Sequence, residues 1–482
     1  MTVAMLGADV HATALATPDG TSLLTYGQLD LHAERLADRL RPHVGPGSVL
    51  ACVLPNGPAF AVALLAAARL SACFAPLGHR LTSPERTRLF DVLRPLVLVA
   101  GPGVEPPASC AVLARWTDPW APWPDEVHAR RPLVAPEDDG ELAPRHGDAL
   151  ILLTSGSTGT PKGVLLTREN VAAGTGAVVA RYGLTPADRT VALLPWTHGH
   201  GLIGVLLSTL RAGGSIVVAR EQRLDHALRA PATTWLSLVP PLLHELCAAT
   251  GSPRLRFIRT ASAPLPAELA SAAEARFDCP VAEAYGMTET AHQAAANAPA
   301  FDARRLGWVG HPSGTQFRRG PVRVGEGHEL EVSGPAVFRG YLRDPRATAA
   351  ALAGGWYRTG DIGRIGPDGA IRLLGRLTEH INRGGSKVSP VEVEEALAGH
   401  PDITACLVLG VPHPVLGEEI AALVQARPGA SLTAEAVHAH CGTRLAPYKV
   451  PRVIRFVAAL PRLPNGKPSR RLAAGLLAAG PG

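Results

Sequence analysis

The sequence predicts an α/β protein, with a large N-terminal domain of mixed, mainly parallel sheets sandwiched by helices and a small mobile α+β C-terminal lid domain. Three observations predict it. Short apolar runs alternate with helical spacing across residues 25–98 and again from 148 to about 375, the rhythm of βαβ units. At 482 residues the chain exceeds one small core. Near Leu377 the composition changes, so the expected domains are 1–376 and 377–482.

The elements follow in order. Leu29, Ala33, Leu36 and Leu40 fall on one face, which predicts a helix over 26–40. Residues 49–54 read as a buried strand, 60–70 as a helix and 95–100 as a strand. Residues 101–147 are proline-rich and read as an irregular surface connection. Strands are expected at 149–153, 191–194, 215–218, 235–239 and 257–260, antiparallel pairing over 327–340, and a strand at 370–374. The last domain carries a charged amphipathic helix at 389–400 and strands at 405–411 and 420–425.

Composition narrows the function classes. The net charge is +6, from 47 basic and 41 acidic residues, which is mild over this length. No dense basic stripe with interleaved aromatics occurs, so nucleic acid is not an expected partner; small anions are. Seven cysteines stand singly with no Cys-x-x-Cys, which argues for a reducing cytoplasm and against a disulfide framework or zinc site. The N-terminus lacks a signal-peptide pattern, and the longest apolar stretch, 59–68, is too short to cross a membrane.

The most informative stretch is Thr154-Ser155-Gly156-Ser157-Thr158-Gly159-Thr160-Pro161-Lys162-Gly163. An apolar strand empties into glycines that admit close backbone approach, hydroxyls that donate to phosphate oxygens, and one lysine. It is not a Walker A loop, because Pro161 precedes Lys162 and Gly163 follows it.

This loop resembles the phosphate loop of the adenylate-forming superfamily, the AMP-dependent synthetases and ligases, and further motifs follow in that family's order over nearly the whole chain. The resemblance implies that Thr154, Ser155, Ser157, Thr158 and Lys162 bind ATP phosphates. In Tyr285-Gly286-Met287-Thr288-Glu289 it implies Tyr285 and Gly286 beside adenine, Thr288 at the α-phosphate, and Glu289 on Mg2+, a hard cation that suits a carboxylate. Ser262, Ala263 and Pro264 resemble the adenine-side loop, with Ala261 where the family usually has glycine. Asp361 and Arg376 resemble the ribose-binding pair. Leu463-Pro464-Asn465-Gly466-Lys467 resembles the last signature, whose lysine bridges the carboxylate and the α-phosphate.

Three stretches are most similar to the oxalate–CoA ligase branch of acyl-CoA synthetases: Pro195 to Leu202, Gly286 to Gln293, and Ile381 to Pro390. That implies His198 at the substrate oxyanion, with His200, His292 and Gln293 as polar lining of a short pocket and Trp196 and Trp235 near its lining positions. Large aromatics there disfavour long fatty acids. Gly384-Gly385 falls where pantetheine passes, Asn382 matches that branch, and Thr378 stands at the hinge where the family usually has Asp or Lys.

The expected activity is ATP-dependent, AMP-forming ligation of a small oxyacid to a nucleophile, with CoA the first choice and a carrier-protein pantetheine the second, although no carrier domain is attached. Two other readings stand beside it. A related enzyme of bacterial secondary metabolism could activate nitrite and couple it to an aryl amine. A non-catalytic relative could keep the fold, but it should have lost Lys467, Glu289 or Asp361, and all three are present.

Overall fold

Val49–Val53 is buried at every position, as an unbroken apolar strand must be when helices cover both faces of its sheet. The computed structural model describes residues 8–129, 142–154, 161–221, 223–251, 253–384, 386–462 and 468–478. The chain divides into two compact units, one of residues 1–316 with 332–357, the other of 317–331 with 358–482.

In the first unit an eight-stranded sheet runs in the order Gly340–Tyr341, Lys162–Thr167, Asp148–Thr154, Cys73–Pro76, Val49–Val53, Val97–Ala100, Val112–Arg115, Glu126–Ala129. Its middle is parallel. A second sheet sets Trp235–Leu238, Phe257–Ala261 and Val281–Tyr285 parallel and in register, and Ala295–Ala296 and His311–Pro312 close it antiparallel. The expected helix forms over Tyr26–Leu40, and a capping box starts it: the Thr25 hydroxyl accepts from the Gln28 N–H, and the Gln28 amide accepts from the Thr25 N–H.

The expectation of an irregular segment over 101–147 is corrected in part. Val112–Arg115 and Glu126–Ala129 form an antiparallel pair at the sheet edge. Each run is only four residues long and is hidden among prolines, so periodicity could not separate it from a loop. Residues 130–141 lie outside the described residues.

In the second unit Ile403–His413 and Gly417–Ala426 form a long antiparallel pair, joined by Ile381–Arg383 and Val453–Phe456. The helix Pro390–Ala398 buries Val393 and Leu397 in this unit's core with Val408 and Ile420. No described helix is long and apolar enough to cross a membrane.

One buried ion pair closes the first unit over 191 residues of chain. Arg339 donates from Nε to Asp148 Oδ1 (3.0 Å) and from Nη2 to Asp148 Oδ2 (2.8 Å). The Asp148 side chain is wholly buried. Asp148→Ala would leave the guanidinium buried without its counter-charge, and the expected loss is about 3–5 kcal/mol. Urea unfolding followed by tryptophan fluorescence checks it, read as a lower midpoint of the first transition.

Candidate active site

Two paired strands flank the loop from which the functional reading starts. Asp148–Thr154 and Lys162–Thr167 pair antiparallel, with Thr154 opposite Lys162. Ser155, Ser157 and Thr158 lie outside the described residues, as do Gly385 and Lys467. Lys162 leaves the hairpin with its ammonium 5.0 Å from the ring centroid of Tyr341. The Tyr341 hydroxyl donates to Glu289 Oε1 at 3.0 Å. The Glu289 carbonyl in turn accepts from the Phe338 N–H at 2.8 Å. The hairpin lysine and the expected metal-binding carboxylate are thus linked through one phenol.

Nothing local in Gly340-Tyr341 marks this bridge in the sequence. The backbone explains it. Gly340 and Tyr341 pair with Leu165 and Val164, which lays the tyrosine alongside the hairpin. Tyr357 packs nearby. Burial pushes its phenol up first, and the Glu289 charge adds to that, so it remains a neutral hydroxyl. Thr288 and Glu289 sit on a single turn, Thr288–Thr290, after the strand Val281–Tyr285. A carboxylate of this kind, with phosphates as its co-ligands, suits Mg2+; among the described residues no cluster of three His, Cys, Asp or Glu offers an all-protein cage.

A second cluster occupies the parallel strands. Arg259, in the middle of Phe257–Ala261, is wholly buried. It donates from Nε to Tyr182 Oη (3.2 Å), from Nη1 to Ser237 Oγ (3.0 Å), from Nη2 to Gln293 Oε1 (3.0 Å) and to His292 Nε2 (2.5 Å). No carboxylate among the described residues pairs with it. His200 contacts Ser237 Oγ through Nε2 (2.8 Å) and Ser262 Oγ through Nδ1 (3.1 Å). The rings of His200 and His292 stack at 4.8 Å and 21°.

Local structure fixes both imidazoles. His200 opens a π-type helical segment, His200–Leu207, a widening that often marks functional positions. Gly204 in that segment faces His292; a Cβ there would lie 2.5 Å from His292 Nε2. His292 follows Ala291, and both have left-handed backbones, φ 84 and 46. For non-glycine residues that is a costly conformation, held by the packing around it.

The other expected pocket residues divide. His198 is exposed while His200, two residues on, is buried. Trp196 and Trp235 are wholly buried. Trp196 packs edge-on against Phe60 at 5.5 Å and Trp235 stacks on Phe257 at 5.6 Å, which makes both core side chains. Ala263 and Pro264 follow Ser262 in the loop before the helix Ala267–Phe277. Arg259 and Ser237 escaped sequence reasoning, although a charged residue inside Phe-Ile-Arg-Thr-Ala is the signal that could have found the first.

In the second unit Asp361 and Arg376 face each other across an antiparallel pair. Arg376 Nε lies 2.8 Å from Asp361 Oδ1, and its Nη1 donates to the Thr359 carbonyl at 3.1 Å. Thr359 Oγ1 also accepts from the Asp361 N–H at 3.0 Å, which ties down the strand Trp356–Ile365 at the carboxylate. Thr378 lies on the single turn Leu377–Glu379. All seven cysteines are free thiols, and burial pushes those of Cys52, Cys73, Cys279 and Cys406 up, which disqualifies these four as nucleophiles.

The family model for AMP-binding enzymes matches residues 7–342, and that for the AMP-binding enzyme C-terminal domain matches 392–467. The chain belongs to the AMP-binding enzyme family. It is 36% identical to an oxalate–CoA ligase of Arabidopsis thaliana over 94% of this chain and 93% of that protein. It is also 36% identical to a sulfoacetate–CoA ligase of Cupriavidus necator, over 95% and 93%. ATP-bound MatB from Rhodopseudomonas palustris superposes with a TM-score of 0.85 at 27% identity, covering 99% of both chains. This member is therefore an ATP-dependent, AMP-forming ligase of the acyl-CoA synthetase kind.

Proposed function

We propose that the enzyme joins a short acid carrying two negative charges to CoA through an enzyme-bound acyl adenylate. The observation that carries the substrate class is Arg259, a buried guanidinium with no carboxylate partner among the described residues. A cation taken out of water is costly unless an anion compensates it. A doubly charged acid beside His200 and His292 would supply that anion, and a singly charged one would spend its only charge at the phosphate.

In this reading one carboxylate oxygen attacks the α-phosphorus, the bond to the β-phosphate breaks, and pyrophosphate leaves. The thiol of CoA then attacks the acyl carbon and AMP leaves. Ser155, Ser157, Thr158 and Lys162 hold the departing phosphates, with Thr154 at the root of the loop. Thr288 and Lys467 steady the α-phosphate, Tyr285, Gly286, Ser262, Ala263 and Pro264 flank the base, and Asp361 and Arg376 take the ribose. Bound at Glu289, Mg2+ would offset phosphate charge. Positioning and charge do most of the work in such a displacement. His198, which is exposed, contacts the acid.

A pyrophosphate-release screen tests this. Short dianions such as oxalate, malonate and sulfoacetate should exceed acetate and propionate in kcat/KM by at least about tenfold, and AMP should appear with loss of free CoA thiol. Turnover only with nitrite and an aryl amine, or equal rates for mono- and dianions, overturns it.

A further inference from the structure

A guanidinium can only donate hydrogen bonds, never accept them, and that one-way chemistry propagates outward from Arg259. Nη1 donates to Ser237 Oγ at 3.0 Å. Ser237 is buried, and its other hydrogen-bond partner among the described residues is His200 Nε2 at 2.8 Å. The Ser237 proton therefore goes to Nε2. A ring that accepts at Nε2 is neutral and carries its proton on Nδ1. Nδ1 faces Ser262 Oγ at 3.1 Å, so Ser262 accepts there. Ser262 is exposed, on a backbone with φ 73, and its own proton meets no acceptor among the described residues.

We infer that Arg259 is a positioning residue that sets the direction of the Arg259–Ser237–His200–Ser262 chain, so that Ser262, whose backbone belongs to the loop that flanks the base, turns its hydroxyl donor to the anionic acid. The opposite direction would place two donors on Ser237 and leave its buried proton with no acceptor. A second arm supports the same polarity. Arg259 Nη2 lies 2.5 Å from His292 Nε2, which makes His292 an acceptor at that nitrogen too. The two stacked rings therefore turn their Nε2 lone pairs toward the cation and their Nδ1–H groups away from it. The role given to the acid rests on the function proposed above; the polarity of the chain does not.

The test uses the full-length enzyme labelled with 15N-histidine, the His200 signals being assigned by their loss in His200→Asn. The unsubstituted protein, without substrate, should show the Nδ1–H tautomer at His200. Ser237→Ala and Arg259→Met should each shift His200 toward the Nε2–H form; Ser237→Ala should raise the KM for the acid about tenfold with the KM for ATP little changed, and Arg259→Met should raise it further, because it also removes the charge that the acid compensates. The double variant should be no worse than Arg259→Met alone, because Ser237 acts through the same chain. Ser237→Ala is the smaller change and carries the test if Arg259→Met does not fold. An Nε2–H tautomer in the unsubstituted protein, or additive effects of the two substitutions, overturns the inference. The tautomer is read without any acid present, so an error in the substrate class leaves that readout standing.

Discussion

Glu289→Gln is expected to slow acyl-adenylate formation by about a thousandfold while the protein remains folded. The amide has the carboxylate's shape. It can still accept from the Tyr341 hydroxyl, now 3.0 Å from Oε1, and the backbone bond from the Phe338 N–H to the Glu289 carbonyl is untouched. What disappears is the negative charge that would hold Mg2+ against the phosphates. Pyrophosphate exchange measures the rate, and excess Mg2+ should recover part of it, since a weakened site responds to mass action. Thermal melting should stay close to that of the parent protein. A variant that keeps its rate would remove Glu289 from the metal's coordination. A variant that loses both rate and melting temperature would make it a packing residue instead.

The residues that could be read from sequence are those whose signal is local. The helix Tyr26–Leu40 was legible because its apolar face repeats at helical spacing, with Thr25 and Gln28 ready to cap it. The strands Val49–Val53 and Phe257–Ala261 were legible as short apolar runs. The glycine- and hydroxyl-rich loop stood out by composition, and the Gly286 to Gln293 stretch by its resemblance to the family. What stayed hidden depends on chain separation. Tyr341 meets Glu289 across 52 residues, and Arg259 meets Tyr182 across 77. No periodicity or motif spacing records such pairs; Tyr182 ends a helix and Glu289 sits on a single turn, and each meets its partner only when those elements pack against strands. Ser237 lies beside Arg259 because Trp235–Leu238 and Phe257–Ala261 run parallel with Ser237 opposite Arg259. The burial of the two tryptophans is likewise a product of packing: Trp235, on the strand Trp235–Leu238, stacks on Phe257, and Trp196, on a turn, packs against Phe60.

Gly286→Ala is expected to cost more than any other single methyl group in the site. An added Cβ would fall 1.7 Å from the His292 carbonyl oxygen, 2.6 Å from the His292 carbonyl carbon and 2.8 Å from Gln293 Cα. All three are backbone atoms, so no side chain can swing aside. Nor can the backbone retreat cheaply. The chain leaves Tyr285, makes one turn at Thr288–Thr290, and comes back so that His292 N–H donates to the Met287 carbonyl (3.0 Å) and Ala294 N–H to the Tyr285 carbonyl (2.8 Å). Two successive left-handed residues, Ala291 and His292, already make that return. Opening it by the ångström or more that a methyl requires would break those bonds, for a loss of at least about 3 kcal/mol. The damage would be shared. The same loop carries Thr288 and Glu289 on its outward run and His292 and Gln293 on its return, so one methyl disturbs the phosphate end and the Arg259 network together. The variant should therefore lose ATP binding and acid-dependent turnover in parallel, with a clearly lower melting temperature. Unchanged melting with lost activity would mean the loop can open alone, and the two clusters would then be mechanically independent.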